Sequence, residues 1–208
     1  MENLNLNQFQ GLTEAQKETR KSGIGGSDAA AVINMSKYRT ILDVYADKMG
    51  EDDGFEGNLS TVLGNHNEDL IRQLYETQIN IPLLKPLDSF VHKDYPWMRC
   101  NLDFHSEDNS IVGEIKFTCA WKQWGEEGTD EMPSEYLIQC AHNCIVAESH
   151  FGINYEQFPC VALINKFGRW EMKEYFYRRN SNLERKLIRA EDKFWNENVL
   201  KQIPPELN

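Results

Sequence analysis

The stretch from Met98 to Lys116, MRCNLDFHSEDNSIVGEIK, constrains the fold of this chain more than any other. It reads as two short strands joined by a tight polar turn at Glu107–Ser110. Asp103 falls in the first strand, and Glu114, Ile115 and Lys116 fall near the end of the second. Alternation puts Glu114 and Lys116 on one face, with Ile115 opposite. Antiparallel pairing across the turn brings Asp103 close to Glu114. Two acidic side chains converging beside a lysine suit a divalent cation with an oxygen-only shell. Such a cation neutralises phosphate charge and lowers the pKa of a bound water, while the lysine orients or deprotonates that water. The pattern is short, however, and a surface hairpin with a cross-strand Glu/Lys pair also satisfies it.

The chain has 208 residues, long enough for a substantial core, and a single domain over residues 1–208 is the default expectation. Hydrophobic residues make up 40% and aromatic residues 11%, the balance of a folded chain and not a disordered one. No stretch approaches the length of a membrane span and no charged-then-apolar leader opens the sequence. A cytoplasmic protein with no membrane association is therefore expected. The five cysteines are odd in number and include no CxxC. Cys140 and Cys144 share a helix face with His142 nearby, but buried thiols are the simpler reading and zinc is not expected. The formal net charge of −11 argues against a protein that coats nucleic acid non-specifically. It leaves room for an enclosed site where bound cations reverse an acidic cluster, or where basic residues line one channel.

Residues 1–12 are polar and read as a flexible lead-in to a short helix, Glu14 to Lys21, capped by Thr13 and carrying Arg20. SGIGGSDAAAVI then runs from a glycine-rich turn into an alanine-rich helix, with Ser27 placed as the N-cap. A helix N-terminus with a serine hydroxyl and a nearby arginine makes a phosphate cradle, although most such Gly/Ser stretches are ordinary capped turns. Lys37 and Arg39 sit in the connection to the next helix, where they either touch a DNA backbone or remain solvated. Thr40 and Asp43 resemble a capping box for that helix, which Gly50 ends. Residues 51–59 read as a mobile acidic loop. A long helix from Ser60 to Gln78 has Val62, Leu63, Leu70, Ile71, Leu74 and Tyr75 as its apolar positions, with Glu68 as a third carboxylate and Gly64 allowing close packing. After the central hairpin, residues 118–128 read as helical, carrying Trp121 and Trp124. A helix from Ser134 to about Glu148 places Tyr136 and Gln139 on one face. Two strands, 153–164 and 169–178, and a closing amphipathic helix from Asn182 to Leu200 complete the chain.

Taken together, Arg20…Ser27, Glu68, Asp103, Glu114-x-Lys116 and Tyr136-x-x-Gln139 form an ordered pattern. It resembles the phage lambda exonuclease and YqaJ-type viral recombinase family, within the PD-(D/E)xK nuclease superfamily. The resemblance covers roughly Arg20 to Glu148, through GIGGSDAAAVINMSKYRT, DVYADKMG, LGNHNED, the hairpin and YLIQC. It implies an α/β fold with a restriction-endonuclease-like core, a central mixed β-sheet flanked by α-helices. It also implies digestion of the 5′ strand of linear double-stranded DNA, leaving a 3′ single-stranded overhang. By matching position, Asp103, Glu114 and the Ile115 backbone carbonyl would bind Mg²⁺ (two ions, with Mn²⁺ as a substitute), and Glu68 would serve the same cluster directly or through water. Lys116 would orient the attacking water and Gln139 would help fix it. Arg20 and Ser27 would hold the 5′-phosphate, with Lys37, Arg39 and Tyr136 contributing to DNA binding.

The resemblance further implies a toroidal homotrimer and a single-strand annealing protein as partner, in a host cytoplasm if the gene is phage-borne. The sequence departs from the family where Leu102 and Phe104 flank Asp103 in place of proline and glycine. Gly25 stands where the lambda enzyme has a hydroxyl residue, which puts one phosphate donor in doubt. Two other functions fit the same residues less fully: an endonuclease on the same core, and a catalytically silent DNA-end-binding scaffold. An acidic α/β protein unrelated to DNA is the remaining reading.

Overall fold

The computed structural model describes residues 18, 20–51 and 59–206. Residues 1–12, the Thr13 cap and most of the acidic loop at 51–59 lie outside these. The centre is a five-stranded mixed sheet in the order β1-β4-β5-β6-β7, with β1 at Leu83–Leu84, β4 at Phe104–Ser106, β5 at Val112–Thr118, β6 at Gln157–Lys166 and β7 at Arg169–Arg178. All pairings are antiparallel except β5 with β6, which run parallel from Glu114↔Cys160 to Thr118↔Ile164. Parallel neighbours need a long crossover. Here it contains helix α4, Ser134–Phe151. A separate two-stranded ribbon pairs β2, Phe90–Val91, with β3, Arg99–Cys100.

Alternation along β5 divides the two faces of the sheet. Ile115 packs with Ile71 and Tyr75 of helix α3 (Leu59–Ile79), together with Leu83, Phe104 and Val161. The opposite face packs under α4, whose Ile138, Cys140, Ala141, Cys144, Ile145 and Val146 are buried with Cys160, Ala162 and Ile164 of β6. Cys140 and Cys144 are thus core thiols. Helix α1 (Gly26–Val32) lies against α4. It joins helix α2 (Ile41–Met49) and the closing helix in a second core around Ile24, Val44, Tyr45 and Phe194. The Thr40 and Asp43 capping box forms as the sequence suggests, and Gly50 caps α2 at φ 74°. The closing helix α5, Ser181–Lys193, continues as a π-helical turn through Phe194–Val199.

Several expectations need correction. Residues 118–128 form only a single 3-10 turn, Trp121–Gln123. Beyond it the chain is held as a loop by its own polar groups: Gly125 N–H donates to the Glu131 carbonyl, and Gly128, at φ +81°, donates to Glu174. The sixth strand begins at Gln157, not at 153. Of the apolar positions of α3, only Ile71 and Tyr75 are buried, while Leu63, Leu70 and Leu74 remain exposed. Periodicity reports a helix but not which of two apolar stripes meets the sheet. Gly64 does not serve close packing among the described residues either, because a Cβ there would meet none of their atoms within 4 Å.

Candidate active site

The β4–β5 hairpin delivers its acidic residues as expected, with one shift. Asp103 lies immediately before β4 and not inside it. The pairing Phe104↔Gly113 still sets Asp103 against Glu114, and the Asp103 N–H donates to the Gly113 carbonyl at 3.0 Å. Because β4 only begins at Phe104, the next stretch of β5 has no strand partner on that side. The Asp103 carboxylate fills the gap by accepting the Ile115 N–H at 2.7 Å. A strand residue directs its N–H and C=O to the same side. The Ile115 carbonyl therefore also lies on the Asp103 side, outside the ladder with β6.

Glu114, only 3% exposed, is enclosed by donors. Lys116 Nζ donates to its Oε1 at 2.6 Å, Gln139 Nε2 donates to the same oxygen at 2.6 Å, and Asn143 Nδ2 donates to Oε2 at 2.9 Å. Helix α4 supplies both amides because Gln139 and Asn143 are four residues apart and share a face. Tyr136, one turn earlier, sets its ring 4.9 Å from Lys116 Nζ. Gly26 is indispensable here: a Cβ on it would fall 2.2 Å from Asn143 Oδ1 and 3.1 Å from Gln139 Cγ. Only glycine lets α1 approach the two amides that hold Glu114.

Burial raises the Asp103 pKa well above the ordinary carboxylate range, and the Glu114 and Glu68 charges push in the same direction. Burial also raises Glu68, whose Oε2 stands 3.6 Å from Lys85 Nζ, with Glu114 adding to the shift. For Lys116, burial alone would lower the pKa, but Glu114 and Asp103 outweigh it and hold the lysine above its ordinary value. The two carboxylates therefore favour the ammonium form of Lys116. Among the described residues no ready-made cluster of three His, Cys, Asp or Glu ligands is present. The donor chemistry nevertheless fits a hard cation that keeps part of its water shell. Two neighbouring carboxylates, one disfavoured in its charged form, stand beside a carbonyl that β6 does not use.

The glycine-rich turn departs from its expected role. The N-cap of α1 is Gly25, and Ser27 is an exposed residue inside the first turn. The cap is closed instead by Asp28, whose Oδ2 accepts the Gly25 N–H at 3.2 Å. Asp28 is 2% exposed and also receives Lys48 at 2.7 Å and Arg39 at 2.9 Å. Burial would raise its pKa, but Lys48, Arg39 and Arg20 bring it down to about 2. Arg39 is accordingly not a solvated loop residue: it is folded back onto Asp28, with Asp47 at 3.6 Å. Arg20 is partly exposed, 3.9 Å from Asp47. Lys37 is exposed, and its backbone N–H donates to Glu135 Oε1 at 3.2 Å, which ties the α1–α2 loop to the start of α4 beside Tyr136.

The structure thus gathers Asp103, Glu114, Lys116, Gln139 and Tyr136 closely, with Glu68 in electrostatic reach. Arg20, Ser27 and Lys37 lie along the adjoining α1–α2 surface, and Arg39 is engaged in an internal ion pair. Sequence reasoning missed Asn143, although its four-residue spacing from Gln139 marks it. It also missed Asp28, whose only local sign is its place in the first turn of α1.

The fold is a restriction-endonuclease-like α/β fold. It is similar to the alkaline exonuclease LHK-Exo from Laribacter hongkongensis, with TM-score 0.62 and 14% identity over 92% of this chain and 94% of that one. The dAMP complex of LHK-Exo matches equally, at TM-score 0.62 and 15% identity. A phage-related exonuclease from Haemophilus somnus 129PT matches at TM-score 0.59 and 14% identity, over 86% of this chain and 96% of that one. Residues 16–150 match the YqaJ-like viral recombinase domain, and the chain belongs to that family. It is 28% identical over 194 residues to the uncharacterized protein YqaJ of Bacillus subtilis (strain 168). That match covers 91% of this chain and 57% of the relative, so the chain spans little more than half of that protein's length.

Proposed function

We propose that the chain is a metal-dependent deoxyribonuclease that digests the 5′ strand of linear double-stranded DNA and leaves a 3′ overhang for recombination by strand annealing. The observation that carries this reading is the meeting of Lys116 and Gln139 on the Glu114 carboxylate, with the Asp103 carboxylate on the adjacent Ile115 N–H. Mg²⁺, held by Asp103, Glu114 and the Ile115 carbonyl with Glu68 in support, would supply charge neutralisation and an acidified water. Lys116 and Gln139, which share Glu114 Oε1, hold the attacking water in line with the scissile phosphorus. Asn143 fixes the carboxylate against which both are set. Arg20 and Ser27 receive the terminal 5′-phosphate, while Lys37 and Tyr136 border the path of the strand.

Similarity in fold to the exonucleases of Laribacter hongkongensis and Haemophilus somnus supports an end-dependent reaction. A homotrimeric ring would reconcile the net charge of −11 with DNA binding by turning the basic residues inward. The exposed leucines of α3 offer apolar surface that such an assembly would bury. A single-strand annealing protein acting on the 3′ strand is the expected partner, and the cytoplasm the expected site of action. Among the described residues no helix is long and apolar enough to cross a membrane. Incubation with linear and covalently closed duplex, with Mg²⁺ or EDTA, tests the reading. Loss of nucleotides from linear duplex alone, abolished by EDTA, is expected. Cuts in closed circles would make the protein an endonuclease, and tight end binding without hydrolysis would make it a scaffold.

A further inference from the structure

The hairpin joining β6 to β7 carries an exposed aromatic tip outside the carboxylate site, resting on Trp121 at the margin of the core. Lys166 pairs with Arg169, so the turn between them is the two-residue loop Phe167-Gly168. Both residues have positive φ, 54° and 80°. This is the primed hairpin turn that Asn-Gly favours. A bulky aromatic residue in the left-handed region is an outlier. The other non-glycine residues of positive φ among those described are three asparagines and a glutamine. Phe167 nevertheless occupies the tip and is 81% exposed, so its side chain is neither favoured by the backbone nor called for by packing.

It does not stand alone. Its ring lies 4.9 Å from Trp121, and Lys166 Nζ sits 5.0 Å over the same indole. Trp170, 46% exposed, belongs to the opposite face of the sheet, where it stacks on Phe117 at 4.7 Å and 19°, apart from this cluster. Lys122, next to Trp121 in the chain, and Lys166 and Arg169, which flank the turn, are exposed. None of the three forms an ion pair among the described residues, and the neighbouring Glu171 is paired with Lys173 at 3.2 Å. On a chain of net charge −11, an aromatic cluster edged by unneutralised cations is a local reversal of the surface.

Its position is related to the carboxylate site by the parallel ladder. Lys116 is paired with Ala162, and Lys166 stands four residues further along the same strand and on the same face. That separation is about 13 Å, or roughly four nucleotides of stacked strand.

We propose that this hairpin tip is a stacking platform for unpaired bases of single-stranded DNA. The platform rests on the reading of the chain as a DNA exonuclease, and it names where the unpaired strand at the edge of the digested duplex is held. Every base has a π-face, so Phe167 and Trp121 take a strand without regard to sequence, and Lys122, Lys166 and Arg169 track its phosphates. A paired base inside a duplex offers no free face, so the tip discriminates single strand from duplex.

The test uses the full chain in EDTA, where no hydrolysis competes. Fluorescence anisotropy measures binding of labelled oligodeoxythymidine, blunt duplex and duplex with a 3′ overhang, and tryptophan emission is followed in parallel. The decisive variant is Phe167→Asn, which removes the ring and supplies the residue the turn prefers, so its Tm should hold or rise. Its affinity for oligodeoxythymidine and for the overhang should fall about tenfold, with tryptophan quenching reduced. Lys166→Gln should flatten the salt dependence of binding by about one phosphate contact. Equal affinity in wild type and Phe167→Asn overturns the platform. So does a changed sedimentation coefficient in the variant, which would make the tip a protein interface. Nuclease activity of the wild type is measured separately. Phe167-dependent single-strand binding without duplex digestion would uphold the platform and remove the exonuclease reading, and digestion with Phe167-independent binding would do the reverse.

Discussion

Asn143 gives the sharpest test of how the site is held together. Its Nδ2 donates to Glu114 Oε2 at 2.9 Å, and it is 1% exposed, so no bulk water can take its place. In Asn143→Ala the carboxylate keeps Lys116 and Gln139 on Oε1 and loses the one donor that Oε2 has among the described residues. A hydrogen bond to a buried charged group is worth about 1.5–3 kcal/mol. For a chain of 208 residues, the unfolding entropy near Tm converts that into a fall of about 3–7 °C. If the same interaction holds Glu114 in the transition state, hydrolysis slows about 10- to 100-fold. Calorimetry and strand-labelled duplex digestion read the two effects. Asn143→Asp should be worse on both counts near neutral pH, because it sets a second carboxylate against Glu114, and its Tm should recover partly as the pH is lowered. Asn143→Ala with Tm within about a degree of wild type and activity within about twofold would show that Glu114 does not depend on this hydrogen bond.

Gly26→Ala should lower both Tm and activity, because its Cβ would fall 2.2 Å from Asn143 Oδ1. The cost expected of such overpacking is about 1–3 kcal/mol, read by thermal melts and digestion rates. A second prediction concerns His142 and Glu191, both buried and 2.9 Å apart, with the other imidazole nitrogen 2.8 Å from the Arg99 carbonyl. Burial alone would lower the His142 pKa, but Glu191 and the Arg99 carbonyl hold it above the ordinary value. A raised folded-state pKa means that this stabilisation is fully present below the unfolded value near 6.5 and is lost as pH rises through the folded value. Wild-type Tm should therefore fall from pH 6 towards alkaline pH. Glu191→Gln should lose about 3–5 kcal/mol at pH 6 and show a flatter profile, and parallel profiles for the two proteins would contradict the pairing.

Much of this architecture is local in origin and could be read locally. Period-two alternation over Met98–Lys116 placed Glu114 and Lys116 together and Ile115 on the other face, and a four-residue gap could set Asp103 beside them because hairpin register follows from the turn. The Thr40–Asp43 box and the Gly50 terminus are equally local. What escaped depends on contacts far apart in sequence. Arg39 reads as a loop cation until α1 brings Asp28 against it. Ser27 reads as a cap from its hydroxyl and the glycines before it, but Asp28, which α1 buries against Lys48 and Arg39, takes the Gly25 N–H instead. The leucines of α3 share the period of its core residues, and only the packed sheet shows that Ile71 and Tyr75 face inward. Trp124 suggests a helix, yet it packs from a loop onto Tyr136 and Tyr175.

On the proposed function, Lys116, held at 2.6 Å from Glu114, serves strand hydrolysis at this site. The most direct measurement follows linear duplex carrying one 5′-phosphorylated end, with each strand labelled separately, in Mg²⁺, in EDTA and with Lys116→Ala. Progressive loss of the 5′ strand in Mg²⁺, absent in EDTA and reduced at least about a hundredfold in the variant, is the predicted result. Undiminished digestion by Lys116→Ala, or no digestion by the wild type, would contradict it.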